Sequence, residues 1–300
     1  MTRAELDALA LPPREQLRAA LARGSSEAVR CFARLDQGYR GFELGFRAWI
    51  AAILAFLVEK RGADAAALAV EVGPVLAAAQ RHGVDNGDLP DARTAEGELA
   101  RLSPDALLAR FDALEALRRR SHDLYHDWVT ALLSHVYRRY GIDELEACLR
   151  FAGERTLLRW MPRDLSHPAE QRVRRWAGML LGNFARIRVD EDAEKFTIWQ
   201  ERCGSCGRQL EAGCYGAEPG FAIVDEKHPI TFNRGDVPVY RTHVAVMHYL
   251  LPLERTGVPW PVIECPAGQA PGPCRLLIYK DPARTPREHW DWLTSTGSGQ

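Results

Sequence analysis

The chain has 300 residues, 46% of them hydrophobic and 26% charged, with a formal net charge of -1 at pH 7. These are globular proportions, enough for one large domain or two moderate ones, and they leave no bulk electrostatic drive towards nucleic acid or an acidic membrane surface. A dinucleotide-binding glycine loop, a P-loop and a Gly-x-Ser-x-Gly elbow are all missing from the sequence, which argues against a nucleotide-dependent kinase, a Rossmann dehydrogenase and an ordinary serine hydrolase.

The first residues, Met1 to Glu5, carry charge at once and do not read as a signal peptide. A cytoplasmic protein with reduced cysteines is therefore expected. Ala, Leu, Arg and Glu dominate up to about residue 188, so this stretch predicts helix after helix. Ala48 to Val58 is the most apolar run, too short to cross a bilayer, and Phe46, Trp49, Ile50, Ile53 and Phe56 form an apolar stripe at helical period. Ser103-Pro104-Asp105 reads as a helix start. A further helix is expected from Ser121 to Gly141, another from Asp143 to Trp160 with Pro162 as its stop, and a third from Pro168 with Val173, Trp176, Leu180, Phe184 and Ile187 on one face. Near Asp190 the character changes. Asp190 to Lys195 reads as a polar joint, and strands are expected at Phe196–Gln200, Pro259–Glu264 and Arg275–Tyr279, with a helix from His243 to Glu254 between them. The expected class is α+β, with a helical domain over 1–189, an α+β domain over 190–300 that holds most cysteines, and a polar tail from Ser295 to Gln300.

Five of the seven cysteines lie between Cys203 and Cys274, two of them in Cys203-Gly204-Ser205-Cys206. Soft ligands concentrated in a chain without a secretion signal point to a metal or to thiol chemistry. Zinc wants four such ligands if structural and three plus water if catalytic. The expected set is Cys203, Cys206, His243 and Cys274, with Cys214 and Cys265 as replacements. A redox dithiol is the second reading, weakened because no helix start is expected directly after the motif. Buried cysteines acting as small hydrophobes in a glycine loop are the plain one.

His122 and His126 are four apart on a predicted helix, with Asp123 and Asp127 forming a second row beside them. That spacing suits a metal, zinc or iron, on a helical face; it equally suits residues that pair with Arg118 to Arg120 and orient neighbouring helices. Tyr240-Arg241-Thr242-His243 opens a helix, where Tyr240 and Arg241 could hold an anionic substrate group or simply serve as solvent-facing caps. His248, five residues past His243, is expected to point away from it by well over a third of a turn.

The run Asp192 to Phe196, then Cys203 to Arg208, Val237 to Tyr240 with His243, and Gly272-Pro273-Cys274 leading into Ile278 to Pro282 resembles the bacterial family of L-2-amino-thiazoline-4-carboxylic acid hydrolase-like proteins. His122-Asp123-x-Tyr125-x-Asp127-Trp128 is similar to the front half of its uncharacterised members. Cys203, His243 and Cys274 keep the family pattern; Arg241 and Val244 stand where the family has cysteines, and Cys206 where it usually has glycine. The resemblance implies a helical front, a cysteine-bearing α+β back and a hydrolytic reaction.

The expected function is a small-molecule enzyme, hydrolase-like or lyase-like at a C–N or C–S bond, with a Cys/His zinc site or a Cys203 thiolate and with His122, Asp123 and His243 as acid–base groups. Its partner would be a small substrate, without nucleic acid or membrane, and a homo-oligomer is compatible. Two alternatives stand beside this: a ligand-binding or sensor module with a structural zinc, and a helical-bundle oxygenase with iron at His122 and His126.

Overall fold

Two helices of 37 residues, α3 (Ser25–Arg61) and α5 (Pro104–Tyr140), form the spine of the protein. The computed structural model describes residues 1–62, 73, 92–216, 218–270 and 272–293, so the polar tail lies outside the described residues. The fold is α+β. Before α3 come α1 (Arg3–Ala10) and α2 (Pro13–Leu21), and α4 (Ala92–Leu99) precedes α5. On α3 the predicted stripe Phe46, Trp49, Ile50, Ile53 and Phe56 is buried. By length and composition α3 is long and apolar enough to cross a membrane, a test that core helices also pass, and 39% of its apolar window is buried.

Helix α5 begins as expected, with Ser103 as its N-cap accepting from the Ala106 N–H at 3.3 Å. It does not restart at Ser121, which is 2% exposed in mid-helix. A capping preference loses here to packing. Its buried stripe runs through Phe111, Arg118, His122, His126, Val129, Leu133 and Val136, so three ionisable side chains sit in a core position. Arg118 is neutralised there by Asp36 at 2.8 Å and Glu43 at 3.0 Å, both on α3. The chain turns at Gly141, whose φ of +88° favours glycine.

Helix α6 (Ile142–Arg155) ends five residues before the predicted Trp160. Pro162 does not stop it but sits in the first turn of α7 (Met161–Leu165), the other position proline favours. Helix α8 (Ala169–Gly182) follows Pro168 as predicted, but the last two apolar positions leave it: Phe184 has a φ of +57°, and Ile187 belongs to the first strand.

The polar stretch Asp190–Lys195 contains a hairpin turn at residues 192–194. Strands β1 (Arg186–Glu191) and β2 (Lys195–Arg202) pair antiparallel on either side of it, and Asp192 closes the turn by accepting from the Glu194 and Lys195 N–H groups. After β2 come α9 (Cys206–Glu211), a two-stranded pair β3 (Ile223–Val224) and β4 (Val237–Pro238), and α10 (Thr242–Val244). Helix α10 continues through a π-helical turn (Ala245–Leu250) into α11 (Leu251–Thr256). Strands β5 (Val262–Glu264) and β6 (Cys274–Tyr279) complete an antiparallel sheet of order β1-β2-β6-β5. The main apolar core is continuous across residue 189: Ile53, Leu132, Leu149 and Trp176 share it with Val189, Phe196, Ile198 and Ile278. Cys203 and Cys206 lie in the same core.

Candidate functional site: a thiol cluster beside a buried histidine row

Cys203 directly follows β2, and the chain then turns hard against the end of α8. A Cβ on Gly204 would stand 1.5 Å from the Asn183 carbonyl oxygen, and one on Gly207 would stand 2.6 Å from the Cys203 Cβ. Glycine is required at both places by close approach. Contrary to expectation, a helix does begin at the second cysteine, since α9 starts at Cys206. Its first turn directs the Ser205 N–H, at 3.4 Å, and the Gly207 N–H to the Cys203 sulfur.

Four thiols meet in this place. Cys203 is hydrogen-bonded to Cys206 and to Cys274 at the start of β6, and Cys274 in turn to Cys265 just after β5. Hydrogen bonds from Cys206 and Cys274 hold the Cys203 thiol well below its ordinary pKa, against the effect of burial. The Cys206 thiol, donating to Cys203, is pushed up. Cys265 is lowered by its bond to Cys274. Arg241 faces these sulfurs: its guanidinium bonds Cys206, while Nη1 donates to the Pro266 carbonyl at 2.8 Å and the Gly268 carbonyl at 2.6 Å. It thereby pins the loop that carries Cys265. Arg241 is 3% exposed, so it serves the thiols and is no solvent-facing cap. Among the described residues, no three His, Cys, Asp or Glu side chains already converge in metal-binding geometry; the sulfurs form an open chain, each turned to its neighbour. None of the seven cysteines is in a disulfide. Cys214, beyond α9, is buried and takes no part in the thiol bonds described above.

The histidine pair of α5 stacks as its spacing predicts, with ring centroids 6.0 Å apart. Both nitrogens of His122 are engaged. Nδ1 lies 3.1 Å from Asp123, which as a carboxylate accepts its hydrogen, and Nε2 lies 2.6 Å from Asn183. Asp123 is salt-bridged to Arg208. Burial raises the Asp123 pKa, but the His122 bond and the Arg208 charge outweigh it and the net shift is downward. Asp127 accepts from Gln209 Nε2 at 2.8 Å, and the same group donates to Thr130 at 2.9 Å. The aspartate row of α5 therefore docks α9 through Arg208 and Gln209.

Asn183 and Ser205 connect the two constellations. The Asn183 amide donates to Ser205 Oγ at 2.7 Å, and Ser205 bonds Tyr240. Tyr240 lies edge-on to His126 at 4.1 Å between centroids and to His243 at 4.6 Å. Trp49 of α3 covers the other side, 5.2 Å from His243 and 5.6 Å from Tyr240. His243 Nδ1 donates to the Tyr240 carbonyl at 2.5 Å. Burial keeps these rings neutral: His126 is lowered well below the usual value, by desolvation first and by His122 second, and His243 is lowered to about 4. Burial raises the Tyr240 phenol, so it remains a donor.

His243 and His248 do not point apart. Their rings are 6.2 Å from each other because the π-helical turn between them has more residues per turn. Five residues of α-helix rotate a side chain by about 500°, leaving an offset of about 140°; the wider turn shrinks that offset. Trp49, Asn183, Ser205, Gln209 and Cys265 complete the site. Gln209, three residues past Cys206 on one short helix, was open to inference; Trp49 and Asn183 arrive from other helices and carry no local signal. Comparison with protein families, curated proteins and solved structures finds no match for this chain.

Proposed function

We propose that this protein is a small-molecule enzyme, hydrolase-like or lyase-like at a C–N or C–S bond, with a zinc ion held by Cys203, Cys206, Cys265 and Cys274. The reacting groups beside the ion are His126 and Tyr240. The observation that carries the reading is the chain of four hydrogen-bonded thiols next to Arg241, three of them buried and Cys265 half-buried.

Three features support zinc. Cys203 contacts Cys206 and Cys274, and Cys274 contacts Cys265, so four sulfurs of the kind a tetrahedral thiolate zinc takes already neighbour one another. Cys203, Cys206 and Cys274 are buried and Cys265 is half-buried, so the cluster offers sulfurs whose neighbours in the chain are weak thiol donors. Arg241 offsets part of the charge of four thiolates. Cys265 takes the place expected for His243 because it is bonded to Cys274 within the thiol chain, of which His243 is not a member. In a hydrolytic step, neutral His126 takes the proton of an attacking water, and the Tyr240 O–H gives one to the departing nitrogen or sulfur.

A four-thiolate ion has no open position, which also supports the second reading, a ligand-binding or sensor protein with zinc as a staple. Iron at His122 and His126 has less support, because both His122 nitrogens are engaged and Asp123 is paired with Arg208.

Protein purified without added metal or chelator is expected to carry about one zinc per chain, read by elemental mass spectrometry. Cys203→Ser and Cys265→Ser lose it, and His243→Ala keeps it. Metal-free wild type would overturn the zinc site. For the reaction, a panel of small amides, amidines, thiazolines and thioethers is followed by chromatography. His126→Ala is expected to slow turnover by roughly 10²–10⁴-fold. Zinc without turnover of any member leaves the binding module.

A further inference from the structure

Two buried nitrogens on the same aromatic wall have no hydrogen-bond partner: Trp49 Nε1 on α3 and His126 Nε2 on α5. Both residues are more than nine-tenths buried, His126 at 2% exposure and Trp49 at 9%. They flank one ring, Tyr240, at 4.1 Å for His126 and 5.6 Å for Trp49, and Phe46 lies 5.6 Å from His126 on the α3 side. Buried polar groups are nearly always paired, and an indole N–H can only donate. Two orphans around one phenol therefore mark a place where the fold leaves its hydrogen bonds to be completed by something else. His122, one turn away on the same face, makes the contrast: it has partners on both nitrogens.

We infer that Phe46, Trp49, His126, Tyr240 and His243 bound the substrate subsite, and that it takes a small, uncharged, planar molecule offering an acceptor to Trp49 Nε1–H and a second polar atom to His126 Nε2. The inference rests on the proposed reading in that both use the same site. The aromatic walls, Phe46, Trp49 and Tyr240, select a flat ligand. Its neutrality follows from the disposition of the surrounding cations. Arg241 turns its guanidinium to the thiols and Nη1 to two carbonyls, the Arg208 charge is paired with Asp123, and Arg118 with Asp36 and Glu43, although the buried Nε atoms of Arg241 and Arg208 keep no partner. A carboxylate would be buried there without a counter-charge, beside the sulfur of Cys203, which interacts electrostatically with both His126 and His243. Uncharged lactams have the right shape and acceptors.

The test uses the full chain with ¹⁵N-labelled tryptophan, the Trp49 indole signal being identified by its loss in Trp49→Phe. 2-Pyrrolidinone is the uncharged probe and acetate the charged one. The Trp49 signal is expected to move saturably with the lactam and not with acetate, and His126→Ala is expected to weaken the lactam about tenfold, the size of one lost hydrogen bond. The remaining indole signals check that each variant is folded. A Trp49 signal that ignores the lactam up to its solubility limit, an affinity unchanged in folded His126→Ala, or acetate binding as tightly as the lactam would overturn the subsite. Binding is read apart from turnover: lactam binding without turnover of the panel defeats the enzyme reading alone, and turnover without lactam binding defeats the subsite alone.

Discussion

The most demanding positions in the molecule are two glycines that sequence patterns treat as spacers. Gly207 lies against the Cys203 Cβ and Gly204 against the Asn183 carbonyl, at 2.6 and 1.5 Å from a hypothetical methyl group. The first obstacle is a side chain on the same loop, which can yield a little; the second is backbone at the end of α8, which cannot. Gly207→Ala is expected to cost about 1–3 kcal/mol, the usual range for overpacking, and Gly204→Ala distinctly more, both read by urea unfolding. Equal costs would mean that the loop is not pressed against Asn183. The same scale separates His122 from His126. Their spacing makes them equivalent in the sequence, and only the arrival of Asn183 from another helix occupies one and leaves the other free.

At the scale of elements, the site depends on which helices are fastened to which strands. Asp164 of α7 accepts from Arg172 and Trp176 of α8, each at 3.3 Å, and from Trp260 before β5 at 2.8 Å. All four side chains are buried, so the carboxylate joins three segments at one oxygen. Asp164→Ala leaves the Arg172 charge buried alone and is expected to cost about 3–5 kcal/mol. Trp260→Phe removes one donor and a small volume, and is expected to cost about 1.5–3 kcal/mol. Denaturant unfolding ranks the two, and the reverse order would make packing of Trp260, not the carboxylate, the fastening. Periodicity was legible wherever one rule governed: the α3 stripe, the Ser103 start of α5, the Pro168 start of α8, and β2 and β6 all stand where the residue pattern puts them. It failed where two rules share a residue. Ser121 is a good cap and an acceptable interior residue, Pro162 a stop and a start, and Phe184 continues a helical stripe that Asn183 has already ended. Within the site, the Cys203-Cys206 pair was readable and the convergence with α5 was not, because Asn183 and Trp49 are brought there by tertiary packing alone.

For the whole molecule, a core that runs without interruption from α1 to β6 has buried its histidines along with its leucines. His248 sits between Trp176 and Trp260, 5.9 and 6.4 Å from their rings, with Nδ1 donating to the Trp260 carbonyl at 2.7 Å. Burial lowers its pKa to about 3, with His243 adding to the shift. An unfolded histidine binds its proton near ~6.5, so below that pH the unfolded chain holds protons that the folded one refuses. The stability His248 contributes is therefore complete above about pH 6.5 and is lost as the pH falls towards 3, at about 1.4 kcal/mol per pH unit. His243, lowered to about 4, and His126 act in the same direction. The depressed carboxylates Asp123 and Asp192 also lose stability in acid, but only below their unfolded values near ~4. Between pH 6.5 and 4.5 the decline thus belongs to the histidines. His248→Gln, which can still donate to the Trp260 carbonyl, is expected to flatten the decline by about 1.4 kcal/mol per unit from pH 6.5 down to about 3, while the further loss that Asp123 and Asp192 add below pH 4 stays in place. Urea unfolding at half-unit pH steps reads it, and a slope unchanged in the variant would mean that His248 is already charged in the folded protein.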